Sequence, residues 1–186
     1  MSAVVIGVVA RTGSAVAFAL GGTAAVPLFL ARDEIDLVAP GLPAQPYHAA
    51  AGLAAAAAES LVGRVERCAE DAAAAGLRAL LGKVPAAAPD AVAVVTKPVS
   101  VPDDVAGVLR SHAWMHAAEG VLYRRAFLAA ASECGWPADA VEQSALPAAE
   151  QVLADLGQAA GRPWRRTEKD AARAALALLP LSPASK

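Results

Sequence analysis

The sequence of 186 residues predicts a mixed α/β domain, in which a three-strand meander plus one or two parallel strands is flanked by helices. Three observations predict this fold class. Short apolar runs, separated by glycine-containing turns, begin the chain. Alanine-rich stretches with helical spacing fill the middle and the end. One more apolar run lies between the two longest helical stretches, where a parallel strand is expected.

The first strands are predicted at Val4–Val9, Ala15–Leu20 and Val26–Leu30, because each run is short, apolar and bounded by turn residues. The charges of Arg32–Glu34 predict that the third strand ends before them, with Ile35–Val38 as a short extension. The three prolines that follow predict a loop.

Helical spacing of apolar residues dominates the rest of the chain. Prolines and glycines mark the ends of each segment. The predicted elements are a helix over about Ala49–Gly82, a strand over Ala91–Val95, a long helix over Val105–Cys134, a weak strand or loop over Ala140–Leu146, a helix over Pro147–Gly157, and a last helix from Thr167 to Leu179. Residues 1–180 are predicted to form one domain, and residues 181–186 a short tail.

Composition excludes several classes of protein. A hydrophobic content of 56% is ample for a core and excludes a disordered chain. Cys68 and Cys134 are too few for a disulfide scaffold, so they are expected to be reduced thiols of a cytoplasmic protein. The net charge of −2 weighs against a strongly basic nucleic-acid surface. The uncharged stretch Ala15–Ala31 contains turn residues, and no basic segment precedes the first apolar run, so neither a membrane span nor a signal peptide is predicted.

The order of elements resembles the ribonuclease-H-like fold, and within it the RuvC-like resolvase group. Three short segments carry the resemblance. Ile6–Ala10 lies where that group has Gly-Ile-Asp-Pro-Gly, Asp170–Leu178 is similar to its last helix, and Ala117–Val121 looks like its Ala-Arg-Gly-Val stretch. The resemblance implies a nuclease in which carboxylates hold two divalent ions.

The chain departs from that pattern at the carboxylate positions. The first is occupied by Val9, or by Ala10 in a shifted register, and the second falls near Thr96 or Lys97. In the last helix, Asp170 remains and Arg173 replaces the second acid. Valine and arginine are not ligands for Mg²⁺. The sequence therefore predicts a degenerate member of the fold with no two-metal nuclease chemistry, no required cofactor and no assigned catalytic residue.

Polar residues interrupt the apolar face of the predicted long helix. At 100° per residue, His112, His116, Glu119 and Tyr123 fall on one stripe, and imidazole suits transition-metal ions. In the topology of the resembled fold, His48 and Asp170 are expected at the same edge of the sheet. His48, His112, His116, Glu119 and Asp170 are therefore a candidate ligand or divalent-metal cluster, with a structural polar network as the alternative.

A basic connector precedes the last helix. Arg162, Arg165 and Arg166 could contact phosphates and Trp164 could stack on a base, whereas the alternative is a linker whose tryptophan packs on the sheet.

Three hypotheses for function follow. The favoured one is a catalytically inactive module for interaction or assembly, active as a homodimer or with a protein partner. The others are a metal- or ligand-binding protein using the histidine and aspartate residues, and a protein that binds nucleic acid without cutting it. Enzymatic activity is left open, and the missing carboxylates weigh against it.

Overall fold

Five strands form the central sheet of the described residues, and the apolar residues of its three inner strands are buried on both faces. The strands are β1 (Ala3–Arg11), β2 (Ser14–Gly22), β3 (Pro27–Asp36), β4 (Ala91–Thr96) and β5 (Ala138–Glu142) in the computed structural model, which describes residues 3–182. Their order across the sheet is β3-β2-β1-β4-β5. The first three pair antiparallel as a meander, and β4 and β5 add to β1 in parallel. The predicted mixed sheet is confirmed.

Within residues 3–182, six helices cover the two faces of this sheet. They are α1 (Pro46–Ala50), α2 (Ala55–Leu81), α3 (Val105–Val108), α4 (His112–Glu133), α5 (Glu150–Ala160) and α6 (Arg166–Leu178), with a 3-10 turn at Gln143–Ala145. The side chains of Ile6 and Val8 face the layer that contains α2 and α4. Val5 and Phe18 face the layer of α5 and α6. The alternation of side chains along a strand thus divides the core into two layers.

The helix predicted over Val105–Cys134 is in fact two helices, α3 and α4. The chain leaves the helical conformation at Ser111, whose φ of −143° and ψ of 128° are extended, and α4 begins at His112. The apolar periodicity continues across this break, which is why the sequence pattern did not reveal it. The predicted helix at 49–82 is likewise divided, because α1 is separate and α2 begins only at Ala55.

Strand β3 is longer than predicted, because its charged residues belong to the strand. Arg32 pairs with Phe18 and Asp33 pairs with Ala17, so pairing continues to Asp36. β3 is an edge strand, where charged side chains are common. Asp33 forms an ion pair with Lys83 of the loop after α2.

The uncharged stretch at 15–31 is divided between β2 and β3. Within residues 3–182, no helix has both the length and the apolar character needed to cross a bilayer. Cys68 and Cys134 are both free thiols. Of the predicted tail at 181–186, the final four residues lie outside the part of the chain that the structure describes.

Candidate functional site

Three histidines from two helices form one cluster. Pro46 is at the start of α1 and places His48 in that short helix, while His112 and His116 are one turn apart at the start of α4. The ring centroid of His48 lies 5.0 Å from that of His112 and 4.4 Å from that of His116. One ring nitrogen of each histidine lies within 4.8 Å of the other two. The structure therefore brings together all three histidines of the chain.

Glu119 lies beneath this cluster and is only 1% exposed. Its Oε1 atom is 2.8 Å from Nδ1 of His48 and also accepts the backbone N–H of His48 at 3.3 Å. Burial of a carboxylate is costly unless it is hydrogen-bonded, and these two contacts supply the hydrogen bonds. Glu119 therefore connects α4 to α1.

Tyr123 is one turn further along the same stripe of α4 and is fully buried. Its hydroxyl donates a hydrogen bond of 2.6 Å to the carbonyl oxygen of Ala44. Burial, and then the nearby carboxylate of Glu119, raises the pKa of Tyr123 to about 12. The stripe predicted for His112, His116, Glu119 and Tyr123 is thus one continuous row directed at α1 and the loop before it.

Asp170 has its own set of partners in α6 and after β5. Its Oδ2 atom accepts a hydrogen bond from Nε2 of Gln143 at 3.0 Å, and its Oδ1 atom accepts one from Nη1 of Arg173 at 3.2 Å. Nε of Arg166 lies 3.6 Å from Oδ2. Within residues 3–182, no hydrogen bond or ion pair joins Asp170 to the histidines.

A groove of about 560 Å³ lies at the ends of β1 and β4. Val9 and Lys97 line it, and both are among the residues that the sequence predicts at the carboxylate positions of the fold. His116 of the cluster and Gln143, the partner of Asp170, line it as well. The groove therefore lies between the histidine cluster and Asp170.

Basic side chains give this groove a positive character. Arg11, Lys97 and Arg124 line it, and none of the described residues that line it is acidic, although Arg11 also forms an ion pair with Glu34 of β3. Arg124 is half-buried, its Nε donates to the carbonyl oxygen of Gly120 at 2.7 Å, and burial lowers its pKa. An arginine keeps its charge in a protein even so, because its ordinary pKa is above 12.

Sequence reasoning missed the roles of Arg124 and Gln143 in this groove. Arg124 lies within the predicted long helix without being a candidate residue, and Gln143 lies in the segment predicted as a weak strand or loop. Gln143 directly follows β5, so a firm assignment of that strand would have placed it at the same edge as Val9 and Lys97.

The basic connector lies on the opposite layer, against α5 and β3. Trp164 packs on the sheet, with its ring centroid 5.6 Å from that of Phe18, as the alternative interpretation described. The side chains of Arg162, Arg165 and Arg166 are exposed. The backbone carbonyls of the connector accept hydrogen bonds from Arg32 of β3, at 2.6 Å for Pro163 and 3.0 Å for Arg162.

Solved structures resemble this chain along most of its length. A Thermus thermophilus RuvC in complex with a Holliday junction substrate matches with a TM-score of 0.54 and 22% identity, over 94% of this chain and 90% of that one. A second Thermus thermophilus RuvC structure matches with a TM-score of 0.51 and 20% identity, over 93% and 91%. The chain has the RuvC-like ribonuclease-H fold.

The RuvC-like fold confirms the resemblance inferred from Ile6–Ala10, Ala117–Val121 and Asp170–Leu178. No family model matches the sequence, and no curated protein sequence matches it. The RuvC-like fold is therefore shown by structural similarity and not by a match in sequence.

Proposed function

We propose that this chain is a RuvC-like domain that acts by binding a partner and does not cleave DNA by two-metal catalysis. In this proposal residues 1–180 form one unit of a cytoplasmic protein. The observation that carries the proposal is the composition of the groove at the strand ends. Two-metal catalysis needs carboxylates that hold both ions in line with the scissile bond.

The residues of the groove do not fit a pair of Mg²⁺ ions. Val9 has no ligand atom in its side chain, and Lys97 is a cation that repels a metal ion. Asp170, the acid that remains, already binds Gln143 and Arg173 through its two oxygens. Arg173 lies within hydrogen-bonding distance and neutralises the negative charge of Asp170, which a metal ion would need.

A second copy of the chain is the partner that we favour. Several large apolar side chains are exposed, including Leu53 after α1 at 47%, Val99 after β4 at 45% and Trp114 of α4 at 39%. Burial of such side chains stabilises an interface by about 25 cal/mol for each Å² removed from water. Light scattering coupled to size-exclusion chromatography, over a range of concentrations, tests this. A dimer that Trp114→Ala weakens supports the proposal, and a monomer at all concentrations contradicts self-association.

Nucleic-acid binding without cleavage is the second candidate, and the basic groove favours it. Arg11, Lys97 and Arg124 lie together there, and a solved RuvC of the same fold is bound to a Holliday junction. The exposed arginines of the connector, Arg162, Arg165 and Arg166, are a separate candidate surface. Trp164 contributes less to it, because its ring packs on Phe18.

One experiment separates these functions. Labelled four-way and linear duplex DNA are incubated with the protein and Mg²⁺ or Mn²⁺, and are analysed on native and denaturing gels. We expect no cleavage. DNA that is cut by the wild type and left intact by Asp170→Asn would contradict the proposal, because it would assign a catalytic role to the remaining carboxylate.

Paired variants then locate any DNA binding. The groove variant Arg11→Ala/Lys97→Ala and the connector variant Arg162→Ala/Arg165→Ala each remove two positive charges. If the groove binds DNA, only the groove variant weakens the gel shift of the DNA. The slope of log affinity against log salt concentration then becomes smaller by about one for each lost phosphate contact. If the wild type does not shift DNA, binding to a protein partner is the function that remains.

A further inference from the structure

Glu119 holds His48 in one orientation. The carboxylate of Glu119 faces Nδ1 of His48 at 2.8 Å, so Nδ1 carries the proton and Nε2 has a free lone pair. Nε2 is buried and has no hydrogen-bond partner within residues 3–182. A buried polar atom without a partner is unusual and requires an explanation.

The same arrangement is typical of histidines that bind metals. A ligating histidine commonly donates its other ring N–H to a carboxylate, which fixes the tautomer and raises the basicity of the ligating nitrogen. Glu119 is in the position of that carboxylate, and its own burial and second hydrogen bond hold it in place. One ring nitrogen of His48 lies within 4.8 Å of a ring nitrogen of His112 and of His116.

We propose that His48, His112 and His116 bind a divalent transition-metal ion of the zinc class, and that Glu119 is a positioning residue for His48. Imidazole nitrogens favour Zn²⁺ and Co²⁺ over Mg²⁺, which prefers oxygen ligands. His112 and His116 have the four-residue spacing that places two imidazoles on one helix face, as in helical zinc motifs. The site is distinct from the carboxylate positions of the RuvC-like fold and does not depend on DNA binding.

Movement of side chains alone would bring the three histidines to the distances of a metal site. Ligand nitrogens in a tetrahedral zinc site are about 3.3 Å apart, given bonds of about 2.0 Å. One ring nitrogen of each of the three histidines lies within 4.8 Å of the other two, which is wider. His112 and His116 are exposed and can turn about their side-chain bonds. His48 is held by Glu119, so it would remain in place while the other two approach.

Three protein ligands leave the fourth position of a tetrahedral ion open to water or to a further ligand, as in catalytic zinc sites. His116 belongs both to the cluster and to the basic groove. An anionic group bound by the arginines and Lys97 of the groove would therefore lie beside the metal.

Spectroscopic titration with Co²⁺ tests the proposal directly. The full chain, free of any tag and stripped with a chelator, is titrated with Co²⁺ and then with Zn²⁺. We expect one Co²⁺ per chain, the visible absorption of tetrahedral Co²⁺, and loss of that absorption when Zn²⁺ displaces it. His112→Ala and His116→Ala should each weaken binding by at least about 100-fold, because loss of a supporting partner alone costs 10–100-fold.

Two further variants separate ligand, positioning residue and control. Glu119→Gln removes the carboxylate charge while an amide oxygen can still accept from His48, so the affinity should fall about 10–100-fold and the tetrahedral spectrum should persist. Cys134→Ser removes a thiol just after the other end of α4 and should bind Co²⁺ like the wild type. Absence of tetrahedral Co²⁺ absorption in the wild type would overturn the proposal. Equal binding by His112→Ala/His116→Ala, with its fold verified by circular dichroism, would overturn it as well.

Discussion

Gly7 of β1 illustrates how one residue determines the distance between a strand and a helix. A Cβ atom at this position would overlap the carbonyl oxygen of Ala171 and lie 2.7 Å from the backbone nitrogen of Ala175, both in α6. Helix α6 can approach the sheet so closely only because residue 7 has no side chain. We expect Gly7→Ala to lower the free energy of unfolding by about 3 kcal/mol, at the upper end for overpacked cores. Urea denaturation measures this change.

Gly63 in α2 is the matched control for that substitution. A Cβ there would meet only the flexible end of Arg67, at 3.4 Å. Replacing a helical glycine by alanine favours the helix by about 1 kcal/mol, so Gly63→Ala should be neutral or stabilising. A Gly7→Ala protein as stable as Gly63→Ala would show that α6 can move away from the sheet at little cost.

Tyr123 predicts a dependence of stability on alkaline pH. Its pKa is raised to about 12 in the folded protein, against about 10 for an unperturbed tyrosine. Below pH 10 the hydroxyl is protonated in both states. Above it the unfolded chain loses the proton first, so stability should fall as the pH rises towards 12. We expect Tyr123→Phe to be less stable near pH 8, because the carbonyl of Ala44 loses its donor, and to show a smaller loss between pH 10 and 12 in denaturation curves.

At the scale of elements, Arg32 of β3 holds the connector between α5 and α6. Its guanidinium donates to the carbonyls of Gly161, Arg162 and Pro163. The forked guanidinium of an arginine can donate to several neighbouring acceptors at once, and a lysine cannot reproduce this. Arg32→Lys should therefore increase amide hydrogen exchange in 161–165 while leaving the exchange of β1 and β2 unchanged. Exchange that stays at the wild-type level in the connector would mean that Trp164 alone fixes it.

The elements that the sequence predicted well are those with strong periodicity. The meander and β4 follow from short apolar runs, which in β1, β2 and β4 are buried on both faces. The extent of β3 did not follow, because the charges at Arg32 and Asp33 are stabilised by partners distant in sequence, the connector and Lys83. The break at Ser111 was equally invisible, because α3 and α4 bury residues on the same layer.

The candidate site was predictable to the extent that it lies on one helix. The 3.6-residue period places His112, His116 and Glu119 on one stripe without knowledge of the fold. His48 joins them through the fold, since α1 packs beside α4. The partners of Asp170 could not be predicted in this way, because Gln143 reaches it from the end of β5.

At the scale of the whole molecule, the histidine cluster joins two elements of one core layer, and this has a thermodynamic consequence. A ligand that binds only the folded chain stabilises it by RT ln(1 + [L]/Kd), about 2.7 kcal/mol at a concentration 100 times Kd. The unfolded chain separates His48 from the other two histidines and so binds the ion weakly. For a chain of this size, about 1 kcal/mol shifts the melting temperature by about 2–4 °C, so Zn²⁺ should raise it by about 5–11 °C.

Thermal melting of the wild type and of a histidine variant, with and without metal ions, measures this shift in melting temperature and tests whether the histidines cause it. Mg²⁺ should raise the melting temperature less than Zn²⁺, because it prefers oxygen ligands and the cluster offers imidazole nitrogens. The His112→Ala/His116→Ala protein should melt at the same temperature with and without Zn²⁺, since both side chains are exposed and one imidazole alone binds weakly. A shift that persists in this variant would assign the stabilisation to other residues. Stabilisation by Zn²⁺ that disappears with the two histidines would instead mean that the ion joins α1 to α4 in the folded chain.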